Sequence, residues 1–255
     1  MYSKLIIFIL ILILFTYIFI VTKKCTSTEI YIYDSHNPGP TILVVAGTHG
    51  NEPAASIYFT DLIKNNKIKI KSGKLIIIPR VNSCALKMNL RSTPLIGDIN
   101  RKYELVDGKI NKVNGEINKV NGQTNGINKQ IIEIIKMNKI DFVLDFHEGY
   151  DFHKINESSL GTTITYTNDK TGKAEEIGEK IIDRLNETII DKRKHFELLD
   201  FNYKPIDGTL LEYLSGLNIS GILIETSGQN NIQPLNVRIK QIEFIFNSII
   251  YLYHL

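Results

Sequence analysis

The chain opens on one long apolar run and then breaks into short apolar stretches separated by turn residues. Residues 5–21 (LIIFILILILFTYIFIV) carry no charge and one threonine, Thr16. Such a run sits at the short end of the roughly 17–25 residues that cross a bilayer as a helix. Lys4 precedes it and Lys23 and Lys24 follow it, a near balance that leaves the orientation open. The run ends in Val-Thr-Lys-Lys-Cys, a poor signal-peptidase site. The pattern predicts a single-pass N-terminal transmembrane anchor at 5–21, with secretion through a cleaved signal peptide as the alternative.

From 30 to 255 the pattern is that of one α/β domain. Ile30–Tyr33 reads as an edge strand. Thr41–Ala46 (TILVVA), Lys74–Val81 (KLIIIPRV) and Asp141–Phe146 (DFVLDF) read as strands covered on both faces, because they are apolar without alternation. Thr162–Thr167 and Gly221–Thr226 add two more. Helical spacing falls between them at about 53–65, 126–138, 171–188 and 209–217, with a closing helix at 233–255. Strands alternating with helices predict a three-layer α/β/α sandwich around a mixed, mostly parallel sheet. One segment breaks the pattern. Residues 107–129 repeat Ile-Asn-Lys-Val-Asn-Gly at 110–115 and 117–122, which reads as an expanded, low-complexity surface loop.

Composition narrows the function classes. A formal charge of +3 without a basic block gives no nucleic-acid footprint. Two cysteines, Cys25 and Cys84, are too few for a cysteine metal site, and no disulfide framework is expected.

The polar outliers collect where the strands end, which is where open α/β sheets bind ligands. Gly47-Thr48-His49-Gly50-Asn51-Glu52-Pro53 follows the first buried strand, His147-Glu148 follow another, and Glu225 ends a further one. His49, Glu52 and His147 form a His₂Glu set that suits zinc and leaves a position for water. Glu225 is a candidate general base. Between them lies Asn82-Ser83-Cys84-Ala85, then Arg91, then Asp98-Ile99-Asn100-Arg101. A guanidinium there can clamp a substrate carboxylate, and a second can stabilise an oxyanion. Glu148 points away from His147 in a strand, which makes it structural. Asp145 can fix a histidine tautomer, or simply end the strand. His153 reads as a surface-loop residue.

GTHGNEP, NSCA…R…DINR, DFHEG and IETSG occur in that order. Together they resemble the succinylglutamate desuccinylase/aspartoacylase branch of the zinc carboxypeptidase (M14-like) superfamily. The resemblance implies one Zn²⁺ on His49, Glu52 and His147. It also implies that Asn100 and Arg101 bind a substrate carboxylate, that Arg91 lies at the attacked carbonyl and that Glu225 activates water. Two details depart from the pattern: Ser83 stands where proline is usual and Ile99 where leucine is. The residues after Glu225 read as helix, where the resemblance implies a C-terminal β-domain. The expected activity is hydrolysis of an amide, or an ester, beside a free carboxylate. Deacylation of N-acyl amino acids comes first, and a metallocarboxypeptidase acting on peptide C-termini or cell-wall peptides is the alternative. An inactive binding or scaffold protein with this fold is a third reading, against which the complete ligand set and Glu225 both argue.

Overall fold

A computed structural model of the chain describes residues 5–13, 15–16, 28–93, 96–103 and 126–255. Seven strands form one mixed sheet in the order β1-β3-β2-β4-β7-β5-β6. They are β1 (Tyr31–Asp34), β2 (Thr41–Ala46), β3 (Lys74–Ile78), β4 (Phe142–Gly149), β5 (Thr163–Tyr166), β6 (Glu197–Asp200) and β7 (Gly221–Ser227). β3, β2, β4 and β7 run parallel; β1 and β5 pair antiparallel to their neighbours β3 and β7.

The predicted strands are present, and β2 has the predicted limits. β4 runs on to Gly149, so His147 and Glu148 lie inside the strand, where the sequence reading had set them after its end. β6 and the short helix α2 (Ser83–Met88) were not predicted. The other helices are α1 (Ala54–Lys64), α3 (Gly126–Met137), α4 (Lys173–Asn186), α5 (Leu210–Gly216) and α6 (Leu235–Leu252). α3 begins inside the predicted 107–129 loop; residues 107–125 of that loop lie outside the described residues. No helix among the described residues is long and apolar enough to cross a membrane. Of the predicted 5–21 anchor, residues 5–13 and 15–16 are helical and the remainder lies outside the described residues. Cys84 is disulfide-bonded. A single bridge leaves no spacing pattern for a sequence reading to find.

Strand alternation splits the core in two. Ile42, Val44, Leu144, Phe146, Ile222 and Ile224 pack one face of the sheet into a cluster with side chains of α1, α4 and α6. Leu43, Val45, Ile76, Ile78 and Val143 pack the other against α3 and α5. On β4 this second face continues through Asp145 to His147, since alternate side chains share a face. The functional residues therefore stand at the carboxyl edge of the α3/α5 face.

α4 is secured at its start by Asp169, which accepts from Thr171 N (2.8 Å), Thr171 Oγ1 (2.6 Å) and Ala174 N (3.1 Å). Burial alone would raise this carboxyl's pKa, but these hydrogen bonds outweigh it and hold the group below its usual range. Its stabilisation is complete above the unfolded value of roughly 4 and is lost as pH falls through the folded one. Asp169→Ala is expected to cost about 1–3 kcal/mol at pH 7. Urea titrations at pH 7 and pH 3 check this: the gap between variant and wild type should narrow at the lower pH.

Candidate metal centre

Local geometry explains why the motif after β2 reads as it does. Gly47 turns the chain in the left-handed region at φ +73°. At Gly50 a Cβ would lie 1.9 Å from the Ala85 carbonyl oxygen, so only glycine lets the loop press against α2. The turn sends His49 back over the end of the sheet, and Pro53 starts α1 directly after Glu52.

His49, Glu52 and His147 are each no more than 3 % exposed. His49 Nδ1 lies 2.9 Å from Glu52 Oε1, and His147 Nδ1 lies 2.9 Å from Glu52 Oε2 and 3.1 Å from His49 Nδ1. Two ring nitrogens and a carboxylate thus converge on one point, as three lone-pair donors do around a cation. Ligands about 2.0–2.1 Å from a tetrahedral zinc stand about 3.3 Å apart, close to this spacing. The far nitrogens are equally informative. His49 Nε2 is 3.1 Å from Asp98 Oδ1, and His147 Nε2 is 3.2 Å from Asp145 Oδ1. The carboxylate hydrogen-bonded at His49 Nε2 keeps the proton there and leaves Nδ1 free to ligate, while Asp145 faces His147 Nε2 as an ion-pair contact without hydrogen-bond geometry. The donor set fits a zinc ion, and these three residues could hold one.

The electrostatics follow from crowding. Burial pushes the Glu52 carboxyl up, but the His49 and His147 imidazoles more than reverse this and hold it well below the usual carboxylate range. Asp98 is likewise held low against its burial, by His49 and Arg91. Burial would lower the His147 pKa, yet Asp145 and Glu52 raise it well above the ordinary imidazole value.

Arg91 meets the centre directly, with Nη1 3.3 Å from Glu52 Oε1 and Nη2 3.0 Å from Asp98 Oδ2. Glu225 is the register partner of His147 across β4 and β7, so its side chain rises from the same face. Burial and the charge of Glu52 push its carboxyl up to about 8, against the pull of His147 and Arg91. Asn100 joins through Asp98, whose Oδ1 accepts from its backbone N at 2.9 Å. Its side-chain Oδ1 accepts from Leu210 N at 3.0 Å, so its amide NH₂ is the end that can donate to a carboxylate. Arg101 is exposed and donates from Nη1 to the Asn100 carbonyl at 2.7 Å.

Glu148 behaves as the strand register demands. It lies on the opposite face from His147, paired with Arg238 and accepting from Ala54 N at 2.6 Å, and so fixes the start of α1. His153 departs from expectation: it is buried, with Nδ1 donating to the Ser159 carbonyl at 2.6 Å. The loop after β4 folds back on itself there, which sequence spacing does not reveal.

Two contributors were missed. Asp98 has no signal of its role in the sequence beyond its place two residues before Asn100. Gln229, just after β7, donates from Nε2 to Glu52 Oε1 (3.0 Å) and to the Glu148 carbonyl (2.6 Å). Its place after IETSG was the available signal. Gln229→Leu is expected to weaken zinc binding roughly 10–100-fold by releasing Glu52. Competition with a chelating dye measures this, and an unchanged affinity would remove Gln229 from the support of the centre.

Residues 38–160 match the family profile "Succinylglutamate desuccinylase/Aspartoacylase catalytic domain". No curated protein sequence matches the chain. Among solved structures, product-bound Csd4, a cell shape determinant of Helicobacter pylori, aligns with a TM-score of 0.70 at 19% identity, covering 89% of this chain and 55% of that one. Its mDAP-bound form, described as a D,L-carboxypeptidase, aligns with a TM-score of 0.67 at 18% identity, covering 84% and 51%. An aspartoacylase family protein of Mesorhizobium loti aligns with a TM-score of 0.56 at 19% identity, covering 87% and 61%. At such identities the likeness is one of fold. The chain spans about half the length of Csd4.

Proposed function

We propose that this chain, whose residues 38–160 belong to the succinylglutamate desuccinylase/aspartoacylase catalytic-domain family, is a zinc hydrolase that cleaves an amide bond beside a free carboxylate. The observation that carries this reading is the convergence of His49, Glu52 and His147 on one point, with Glu225 beside His147 on the same face. When bound, zinc supplies a Lewis acid that polarises a carbonyl and makes water acidic enough to deprotonate near neutral pH.

The chain's own residues perform the remaining steps. Glu225 takes the proton of the attacking water and later gives it to the leaving nitrogen. Arg91, half exposed and already at the rim of the centre, donates to the oxygen on which charge develops. Arg101 and the NH₂ of Asn100 hold the substrate carboxylate, so the scissile bond arrives in a fixed position. Asp98 and Asp145 orient the two imidazoles.

An N-acyl amino acid supplies the required carboxylate, and deacylation is the first reading. A peptide C-terminus supplies the same group, and the likeness of fold to a D,L-carboxypeptidase favours keeping that second reading. The apolar run at 5–21 and the disulfide at Cys84 support export to an oxidising compartment, with the run as anchor or as signal. The test is hydrolysis by the zinc-loaded full chain of N-acetyl amino acids beside dipeptides. Release of free amino acid from either set supports the reading. No turnover of either set by a zinc-loaded, folded protein contradicts it.

A further inference from the structure

The chain enters the domain at the edge of the sheet that carries the metal centre. β1 is antiparallel to β3, and its first residue, Tyr31, pairs with Ile77 near the carboxyl end of β3. Just before it, Thr28 donates from Oγ1 to the Arg80 carbonyl (3.1 Å) and from N to Gln130 Oε1 (3.2 Å). Arg80 in turn lies against the metal-binding turn: a Cβ at Gly47 would stand 3.3 Å from Arg80 Cα. Residues 22–27 separate Thr28 from the apolar run at 5–21. Seven peptide steps reach at most about 25 Å, so the run ends near the centre. The described residues of the run are helical, and none of them is buried against the domain. Cys84 of α2 adds a second tie, since it is disulfide-bonded and the chain's other cysteine, Cys25, lies four residues past the run.

The loops of this edge share a composition. After β3, the exposed residues 87–91 read Lys-Met-Asn-Leu-Arg. After β4, Lys154 and Ile155 are exposed, and before β6 Ile190 is fully exposed and followed by exposed Lys192 and Arg193. The register sets the last loop at the same edge, because Glu197 at the start of β6 is level with Thr163 and, through it, with Glu225. Lys194 Nζ also lies 5.2 Å from the ring of Phe152, in the loop after β4. The first and last of these loops stand five strand spacings apart, about 24 Å, with the metal-bearing ends of β2, β4 and β7 between them. Asp191 is engaged by Arg193 at 2.9 Å. Glu157 and Glu187 flank the loops and are exposed, but the cations outnumber these acids.

We infer that this edge rests on an anionic lipid surface, so that the metal centre opens towards the bilayer that holds the run at 5–21. Met88, Leu90, Ile155 and Ile190 enter the headgroup layer, and Lys87, Lys154 and Lys192 meet lipid phosphates. The spacing favours lipid over a protein partner. A protein interface buries one contiguous core with few charges at its centre. Here single apolar side chains, each with a cation beside it, are spread along the whole edge. Long basic side chains suit this arrangement, because their stems lie along apolar matter while the charge stays with the headgroups. The apolar run supplies the direction, since a chain held by it brings this edge to the bilayer first. The surface stands or falls independently of the hydrolase reading.

The chain has no tryptophan, so one introduced indole reports its own surroundings. Met88→Trp and Ile190→Trp probe the edge. Met137→Trp, at the exposed end of α3 that leads into the start of β4, probes the opposite end of the sheet. Each full chain is reconstituted into phosphatidylcholine vesicles with or without phosphatidylglycerol, with lipids brominated in the upper acyl chain as quenchers. With phosphatidylglycerol present, the reporters at 88 and 190 should be quenched at least twofold more than the one at 137. Adding Lys87→Glu and Lys192→Glu should at least halve that quenching, and so should leaving out phosphatidylglycerol. In both cases the chain should still float with the vesicles through its apolar run, which separates the anchor from the edge. Equal quenching at the three positions, quenching confined to 137, quenching indifferent to both charge changes, or a chain that floats with neither kind of vesicle overturns the inference. Hydrolysis assays in the same vesicles report on the other level: lipid contact without turnover strikes the proposed reaction and leaves the surface.

Discussion

Glu225→Gln is expected to lower kcat by a factor of roughly 10²–10⁴, the usual contribution of a positioned general base. The amide has nearly the shape of the carboxyl and cannot accept the proton of the attacking water. Zinc content should be unchanged, because Glu225 is not among the converging donors. Thermal stability should not fall either. The wild-type carboxylate stands near Glu52 and Asp145, which disfavour its charge, and a neutral amide removes that repulsion. KM should change little, since the carboxylate clamp is untouched. Steady-state kinetics with zinc analysis on the same samples gives the answer. A kcat within threefold of wild type would show that another group takes the proton.

The second large effect concerns stability. Arg238 and Glu148 are both nearly inaccessible, 2 % and 1 % exposed, and they form an ion pair between α6 and β4. Arg238→Met leaves the Glu148 carboxylate buried with only the Ala54 N–H for company. Loss of one partner of a buried pair costs about 3–5 kcal/mol. Glu148 already has its pKa pushed up by burial, against Arg238 and the Ala54 hydrogen bond. Without Arg238 it gains a proton more readily, which limits the loss. The double variant Glu148→Leu/Arg238→Met should recover much of the difference, because it removes the stranded charge. Equilibrium denaturation of the three proteins measures this, and a cost below about 1 kcal/mol for Arg238→Met would mean that the pair contributes little. The site should feel the change too, since the Glu148 backbone N–H donates to Glu52 Oε2 at 3.1 Å.

Much of this arrangement was legible in the sequence, for physical reasons that differ from element to element. β2 and β3 are buried on both faces, so their apolar runs stand out. The turn at Gly47 and Gly50 is legible because a left-handed φ and a 1.9 Å approach leave no room for another residue. β4 was cut short because a strand ending in His147 and Glu148 looks like a loop. Those polar groups are tolerated inside because Glu52, Asp145 and Arg238 meet them there, and such partners are invisible to local spacing. β6, ELLD on the sheet edge, is too short to show alternation, and α2 too short to show a helical period. Asp98 and Gln229 reach Glu52 and His49 only through the fold.

The central claim is that His49, Glu52 and His147 hold one zinc ion. The most direct test is elemental analysis of the purified full chain after zinc loading and desalting, run beside His49→Ala and His147→Ala. The account predicts about one zinc per chain in the wild type and almost none in either variant, with circular dichroism showing both still folded. A folded wild type that retains no zinc, or a variant that keeps a full equivalent, would contradict it.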